Sequence, residues 1–223
     1  MGDFAIIAEG ITDQKVLENI LFGVFKTESG EEPWINFEQP PLDATAQHGA
    51  HAPGGWNLVL KYFQQGNFKQ ALQLNRYLVV QIDTDVAAEY GVARMKDGPP
   101  LSDDELVSAV VAMFMEMIGA EILTNHGDRF IFAIPVDTIE CWLLAMVFDE
   151  SQHTKREKTS GCVAAVNEEL RRRNEELLPG KDPPSRYSQL SKPLRKPKVL
   201  LGAARSSESL MRFVVQLERI RIA

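Results

Sequence analysis

Phe4-Ala5-Ile6-Ile7-Ala8-Glu9-Gly10-Ile11-Thr12-Asp13 is the stretch that decides the fold. Its five leading apolar residues read as a strand buried on both faces, as strands of parallel sheets are. Glu9-Gly10 turns the chain, and the apolar positions Val16, Leu17, Ile20 and Leu21 follow at helical spacing, with Thr12 as the expected cap. Residues 76–82 form a second apolar strand ending in Asp83-Thr84-Asp85, and Ser102 with Glu105 makes a capping box ahead of a helix over 103–117. Residues 129–134 form a third strand, closed by Pro135, and 138–148 read as a further helix. A short strand at 34–37 and a helix opened by Gly54-Gly55 lie between the first two units. Strands alternating with helices specify an α/β domain with a mainly parallel sheet flanked by helices.

In such sheets ligands sit beyond the carboxyl ends of the strands. Three of the expected strands end beside acids: Glu9 after the first, Asp83 and Asp85 after the second, Asp137 and Glu140 after the third. Carboxylates from separate strands repel one another unless a cation lies between them, and Mg²⁺ is commonly held by one or two carboxylates plus water and substrate phosphate. The acids are therefore candidate ligands for Mg²⁺ or Mn²⁺.

The net charge of -7 on 223 residues conceals a division. Residues 1–150 carry 8 Lys and Arg against 23 Asp and Glu, a balance of -15, and residues 151–223 carry 16 against 8, a balance of +8. We expect an α/β domain over 1–150 and, packed on it, a basic helical extension over 151–223. Its helices are expected at 162–178 and 206–221, separated by a Pro-rich basic stretch over 179–198. Arg171-Arg172-Arg173 has Glu168, Glu169, Glu175 and Glu176 at pairing distance along a helix, which reads as a solvated face. Lys192, Arg195, Lys196 and Lys198 have no such acidic neighbours, so these are the candidate contacts to nucleic acid, forming a basic wall opposite the acids. No apolar run reaches the roughly 20 residues that span a bilayer. Two cysteines, Cys141 and Cys162, suggest neither a disulfide framework nor a zinc site, and a cytoplasmic, reducing setting is expected.

Ile6-Ile7-Ala8-Glu9-Gly10-Ile11-Thr12-Asp13 resembles the strand-Glu-Gly-x-Thr-Asp signature of Toprim domains, and Val79-Val80-Gln81-Ile82-Asp83-Thr84-Asp85 resembles their strand-Asp-x-Asp signature. Pro135-Val136-Asp137-Thr138-Ile139-Glu140-Cys141-Trp142-Leu143-Leu144-Ala145 is similar to an element of stand-alone bacterial Toprim-like proteins related to the overcoming-lysogenization-defect (OLD) nucleases. Gly54-Gly55-Trp56, followed by Val59-Leu60-Lys61-Tyr62, is also like that group, and the resemblance covers residues 4–148 and, more loosely, residues 206–217. It implies a Toprim-like fold and a nuclease that hydrolyses phosphodiester bonds of DNA or RNA with two Mg²⁺ or Mn²⁺ ions. Glu9 would lie near the scissile phosphate, Asp83 and Asp85 would carry metal, Glu140 would complete a second metal position, and Asp13 and Asp137 would support these ligands. The resemblance also implies a role in bacterial anti-phage defence. The alternative is a non-catalytic metal- or nucleotide-binding subunit docked on a partner ATPase, and assembly with further copies of this chain is compatible with either.

Overall fold

The computed structural model describes residues 1–25, 31–41, 54–95, 99–178 and 184–220. The chain runs β1 (Gly2–Ile7), α1 (Ile11–Phe25), β2 (Ile35–Gln39), α2 (Trp56–Gln64), α3 (Phe68–Leu74), β3 (Asn75–Gln81), α4 (Asp103–Ile118), α5 (Ala120–His126) and β4 (Phe130–Ala133). It continues through α6 (Glu140–Val147), α7 (His153–Arg156), α8 (Cys162–Arg172), α9 (Pro184–Ser191), α10 (Pro197–Ala204) and α11 (Glu208–Glu218). All strands are parallel, in the order β2-β1-β3-β4. This is an α/β fold in three layers, with helices on both faces of the sheet.

Successive strand residues point to opposite faces. Phe4, Ile6, Val79, Ile131 and Ala133 pack against α1, α6, α8, α10 and α11, while Ala5, Ile7, Leu78, Val80, Phe130 and Phe132 pack against α2, α3 and α4. The chain therefore leaves β1 onto one face and β3 onto the other. Between the carboxyl ends of β1 and β3 the topology reverses, which opens the crevice where sheets of this kind bind ligands.

Ser102 and Glu105 close the expected capping box on α4. Thr12 is not the cap of α1: the helix begins at Ile11, Gly10 supplies the carbonyl for the Gln14 N–H at 3.2 Å, and Thr12 is buried in the first turn. The stretch read as a Pro-rich separator holds α9 and the start of α10, with residues 179–183 outside the described residues. Pro184 and Pro197 are the first residues of those helices, where a missing N–H costs nothing because it would have no intrahelical partner.

The C-terminal helices complete the core. Cys162, Val166, Leu170, Leu194, Leu210, Phe213 and Leu217 are buried in the same cluster as Phe4 and Ile6. Trp142 stacks on Phe213 at 5.6 Å, and its indole N–H donates to Ser209 Oγ at 2.9 Å. Asn19 of α1 donates to the Ser188 carbonyl at 3.0 Å and to Ser191 Oγ at 2.7 Å. Near the far end of α1, a Cβ on Gly23 would lie 2.2 Å from the Leu194 carbonyl, so only glycine permits this approach. Arg172 and Arg173 both pair with buried Glu169, in keeping with the face expected of that run.

The cysteine expectation is corrected. Cys141 in the first turn of α6 and Cys162 at the start of α8 are joined in a disulfide, with Cα atoms 5.0 Å apart. The pairing follows from how α6 and α8 pack, which 21 residues of intervening sequence do not reveal. Among the described residues, no single helix is long and apolar enough to cross a membrane.

Candidate metal centre

Glu9 and Asp83 follow adjacent strands at the crevice between β1 and β3, and one side chain fixes both. Gln81, the last residue of β3 and fully buried, accepts from the Glu9 N–H at 3.0 Å and donates to Asp83 Oδ1 at 2.8 Å. The Asp83 N–H in turn donates to Glu9 Oε1 at 2.7 Å. Tyr90 donates to the Asp83 carbonyl at 2.7 Å and packs beside Trp56. Gly54 and Gly55 close over Glu9 from the α2 side, the Gly55 N–H donating to the Glu9 carbonyl at 2.7 Å. Glycine here lets one backbone rest directly on another.

Asp13 belongs to the same cluster. It sits in the first turn of α1, 7% exposed, in space left by Gly10, where a Cβ would meet Asp13 Oδ2 at 2.8 Å. Glu140 comes from the opposite side as the first residue of α6, buried, and accepts from the Tyr187 hydroxyl at 2.6 Å. Glu9, Asp13, Asp83 and Glu140 thus line one cleft of about 220 Å³, with Thr138, Val163 and Tyr187 completing its walls.

Like charges meet in the cleft, with Asp13 and Glu140 buried and Glu9 and Asp83 partly exposed. Asp13 is pushed well above the usual carboxylate range, first by burial and then by the charges of Glu140 and Glu9. Asp83 moves the same way, first by burial and then by Asp13, Glu9, Glu140 and Asp85. Burial, the Glu140 charge and its hydrogen bond push the Tyr187 hydroxyl upward, so it stays a donor. The Thr138 hydroxyl is buried without a hydrogen-bond partner among the described residues. Four carboxyl groups and a buried hydroxyl without a partner thus line one small cleft, although no three of the carboxylates bring ligand atoms within 4.8 Å of one another as they stand.

The other expected site residues fall elsewhere. Asp85 is exposed and does not line the cleft; its Oδ1 accepts from the Val86 N–H at 2.8 Å. Its carboxyl is raised by desolvation and by the Asp137 charge, against that hydrogen bond. Asp137 acts as a brace. Its carbonyl accepts from the N–H groups of Thr84 and Asp85 at 2.9 and 3.0 Å, and its N–H donates to Thr84 Oγ1 at 2.9 Å. Its carboxylate accepts from the Gly161 N–H at 2.8 Å. This geometry requires φ of 65° at Asp137, a left-handed conformation that Asp tolerates better than most residues. Asp137, Cys141 and Cys162 place ligand atoms within 4.8 Å of one another, but the two sulfurs are bonded to each other and are not thiolates.

The expected basic wall opposite the acids is not there. None of Lys192, Arg195, Lys196 and Lys198 lines the cleft, whose far wall is instead Val163 of α8 and Tyr187 of α9. Arg195 is committed to α1 and the loop after it: its Nε meets Asn19 Oδ1 at 2.5 Å and its guanidinium lies 4.4 Å over the Phe22 ring, while its Nη1 pairs with Glu32 at 3.1 Å. The basic run is anchored along α1 from Asn19 to Gly23, six to ten residues from Asp13, or about 9–15 Å along the helix. Lys192, Lys196 and Lys198 are exposed and form no ion pair among the described residues. Sequence reasoning missed Gln81, Tyr90 and Tyr187, all uncharged residues in core-like contexts; Gln81 alone carried a signal, as a polar residue inside an apolar strand.

A larger hollow of about 560 Å³ lies between the N-terminal ends of α4 and α11, but there Asp103, Asp104, Glu157 and Glu208 alternate with Lys158, Arg205 and Arg212, and the charges offset one another. No family model, curated protein or solved structure matches this chain.

Proposed function

We propose that the chain is a Toprim-like, divalent-metal-dependent nuclease whose Glu9, Asp13, Asp83 and Glu140 hold Mg²⁺ or Mn²⁺ at the β1/β3 crevice. The observation that carries this reading is the convergence of four carboxylates on one cleft, two of them raised by burial and by the charges of the others. Four carboxylates supply enough oxygen for two ions that each retain water. Bound there, the metal would lower the pKa of a water and neutralise charge on the leaving oxygen of a phosphodiester.

The chain's own residues set the geometry. Gln81 and the Asp83 N–H lock Glu9, Tyr90 and the Asp137 carbonyl hold the Asp83-Thr84-Asp85 backbone, and Tyr187 holds Glu140. The basic run meets α1 about 9–15 Å along the helix from Asp13, outside the cleft. Lys192, Lys196 and Lys198 would therefore neutralise phosphates along a strand whose scissile bond lies in the cleft, rather than at the bond itself. A defence role belongs to this same proposal.

The test is hydrolysis of linear DNA, single-stranded DNA and RNA in Mg²⁺ or Mn²⁺. Wild type should cleave at least one of them, chelator should abolish cleavage, and Glu9→Gln and Asp83→Asn should each lower the rate at least 100-fold. Cleavage that survives either substitution rejects the assignment.

A further inference from the structure

Tyr187 lies on α9, in the helical layer outside the α/β units, yet its hydroxyl is part of the acid cleft. It is 3% exposed and donates to Glu140 Oε1 at 2.6 Å, a short bond of the charge-assisted kind. The backbone behind it is fixed as well. Ser191 Oγ donates to the Tyr187 carbonyl at 2.7 Å and accepts from Asn19 Nδ2 at 2.7 Å, so α9 is pinned to α1, the helix that carries Asp13. Through Tyr187, α9 thus joins two acid-bearing helices, α1 and α6.

We propose that Tyr187 is a positioning residue of the cleft: it ties one oxygen of Glu140, so that the other is the one available to a divalent cation shared with Asp13 and Asp83. The C-terminal layer is then a working part of the metal site. This rests on the metal-site reading above. Partners that orient a ligand group from behind are commonly worth 10–100-fold in metal affinity. Tyr187→Phe removes the hydroxyl and keeps the ring, so the core packing around α9 is preserved.

The experiment is Mn²⁺ titration of the full chain by calorimetry, with no substrate present, for wild type, Tyr187→Phe, Glu140→Gln and the double variant. Electron paramagnetic resonance of the bound Mn²⁺ and a melting curve accompany each titration. Tyr187→Phe should raise the Kd for Mn²⁺ about 10-fold or more and alter the resonance of the bound ion. In the Glu140→Gln background the same change should move Kd by less than about 2-fold, because the group it acts through is already neutral. Tyr187→Phe binding Mn²⁺ as wild type does, with an unchanged resonance, overturns the proposal and leaves the metal site standing. An equal loss in both backgrounds also overturns it, since the effect would then be structural. Wild type that binds no Mn²⁺ rejects the metal site and the proposal together.

Discussion

Gly54→Ala should damage the site through a single methyl group. The added Cβ would lie 2.3 Å from the Glu9 carbonyl oxygen, and real Cβ atoms essentially never approach closer than 3.0 Å, so one of the two backbones must retreat by about 0.7 Å. The Gly55 N–H donates to that same carbonyl at 2.7 Å, and a retreat of this size would stretch the bond to about 3.4 Å, past the ordinary range. Overpacking of this kind costs about 1–3 kcal/mol, and the lost hydrogen bond about 1 kcal/mol more. At about 2–4 °C per kcal/mol for a chain of this length, the melting temperature should fall by roughly 4–16 °C. The carboxylate of Glu9 follows its main chain, so Mn²⁺ affinity should fall at least about 10-fold in parallel, given that misplacements near 1 Å can cost about 100-fold in activity. Gly202→Ala is the control: it lies within α10 with nothing within 4 Å of its Cβ, and should raise stability by up to about 1 kcal/mol. The assay is a melting curve in chelator followed by Mn²⁺ titration. A Gly54→Ala protein that melts within about 1 °C of wild type and binds Mn²⁺ equally well would mean that the contact at Glu9 does not shape the site.

Asp13 and Asp83 have raised folded-state pKa values, so the folded chain keeps protons that the unfolded chain releases. Their contribution is fully present below the ordinary carboxylate range and is lost as pH rises through their folded values. Melting temperature measured in chelator should therefore decline as pH rises above about 4. Asp83→Asn should flatten that decline and melt higher than wild type at pH 7; a steeper decline in the variant would contradict the sign. Adding Mn²⁺ at 100 times its Kd should return about 2.7 kcal/mol to wild type at pH 7, read as an upward shift in melting temperature. Reducing Cys141–Cys162, which closes a 21-residue separation, should cost about 3 kcal/mol on a chain-entropy estimate. Melting curves with and without a dithiol reductant measure this, and two free thiols in the untreated protein with no change in melting would refute it.

The sheet was legible because its strands are buried on both faces and so appear as bare apolar runs, as at Phe4 to Ala8. The rule that ligands gather at carboxyl ends points to Glu9, Asp83, Asp85, Asp137 and Glu140, of which Glu9, Asp83 and Glu140 line the cleft and Asp85 and Asp137 do not; the metal role of Glu140 comes from the family resemblance. Asp13 stands in the first turn of a helix, where an acid is equally at home for capping reasons, and its place in the cleft depends on the room left by Gly10. The C-terminal layer was less legible. Prolines that start α9 and α10 look like breakers, and the tertiary approach of Leu194 to Gly23 decides where the lysines go. Tyr187 and the Cys141–Cys162 link join residues 47 and 21 positions from their partners through helix packing, which no local pattern encodes.

The central claim is that Glu9, Asp13, Asp83 and Glu140 hold a divalent cation. Crystals soaked in Mn²⁺ and measured for anomalous scattering test it most directly. The expected result is an anomalous peak inside the cleft, within coordination distance of Asp83 and at least two of the other three carboxylates. No peak in the cleft at saturating Mn²⁺, or peaks confined to exposed acids such as Asp85, would contradict it.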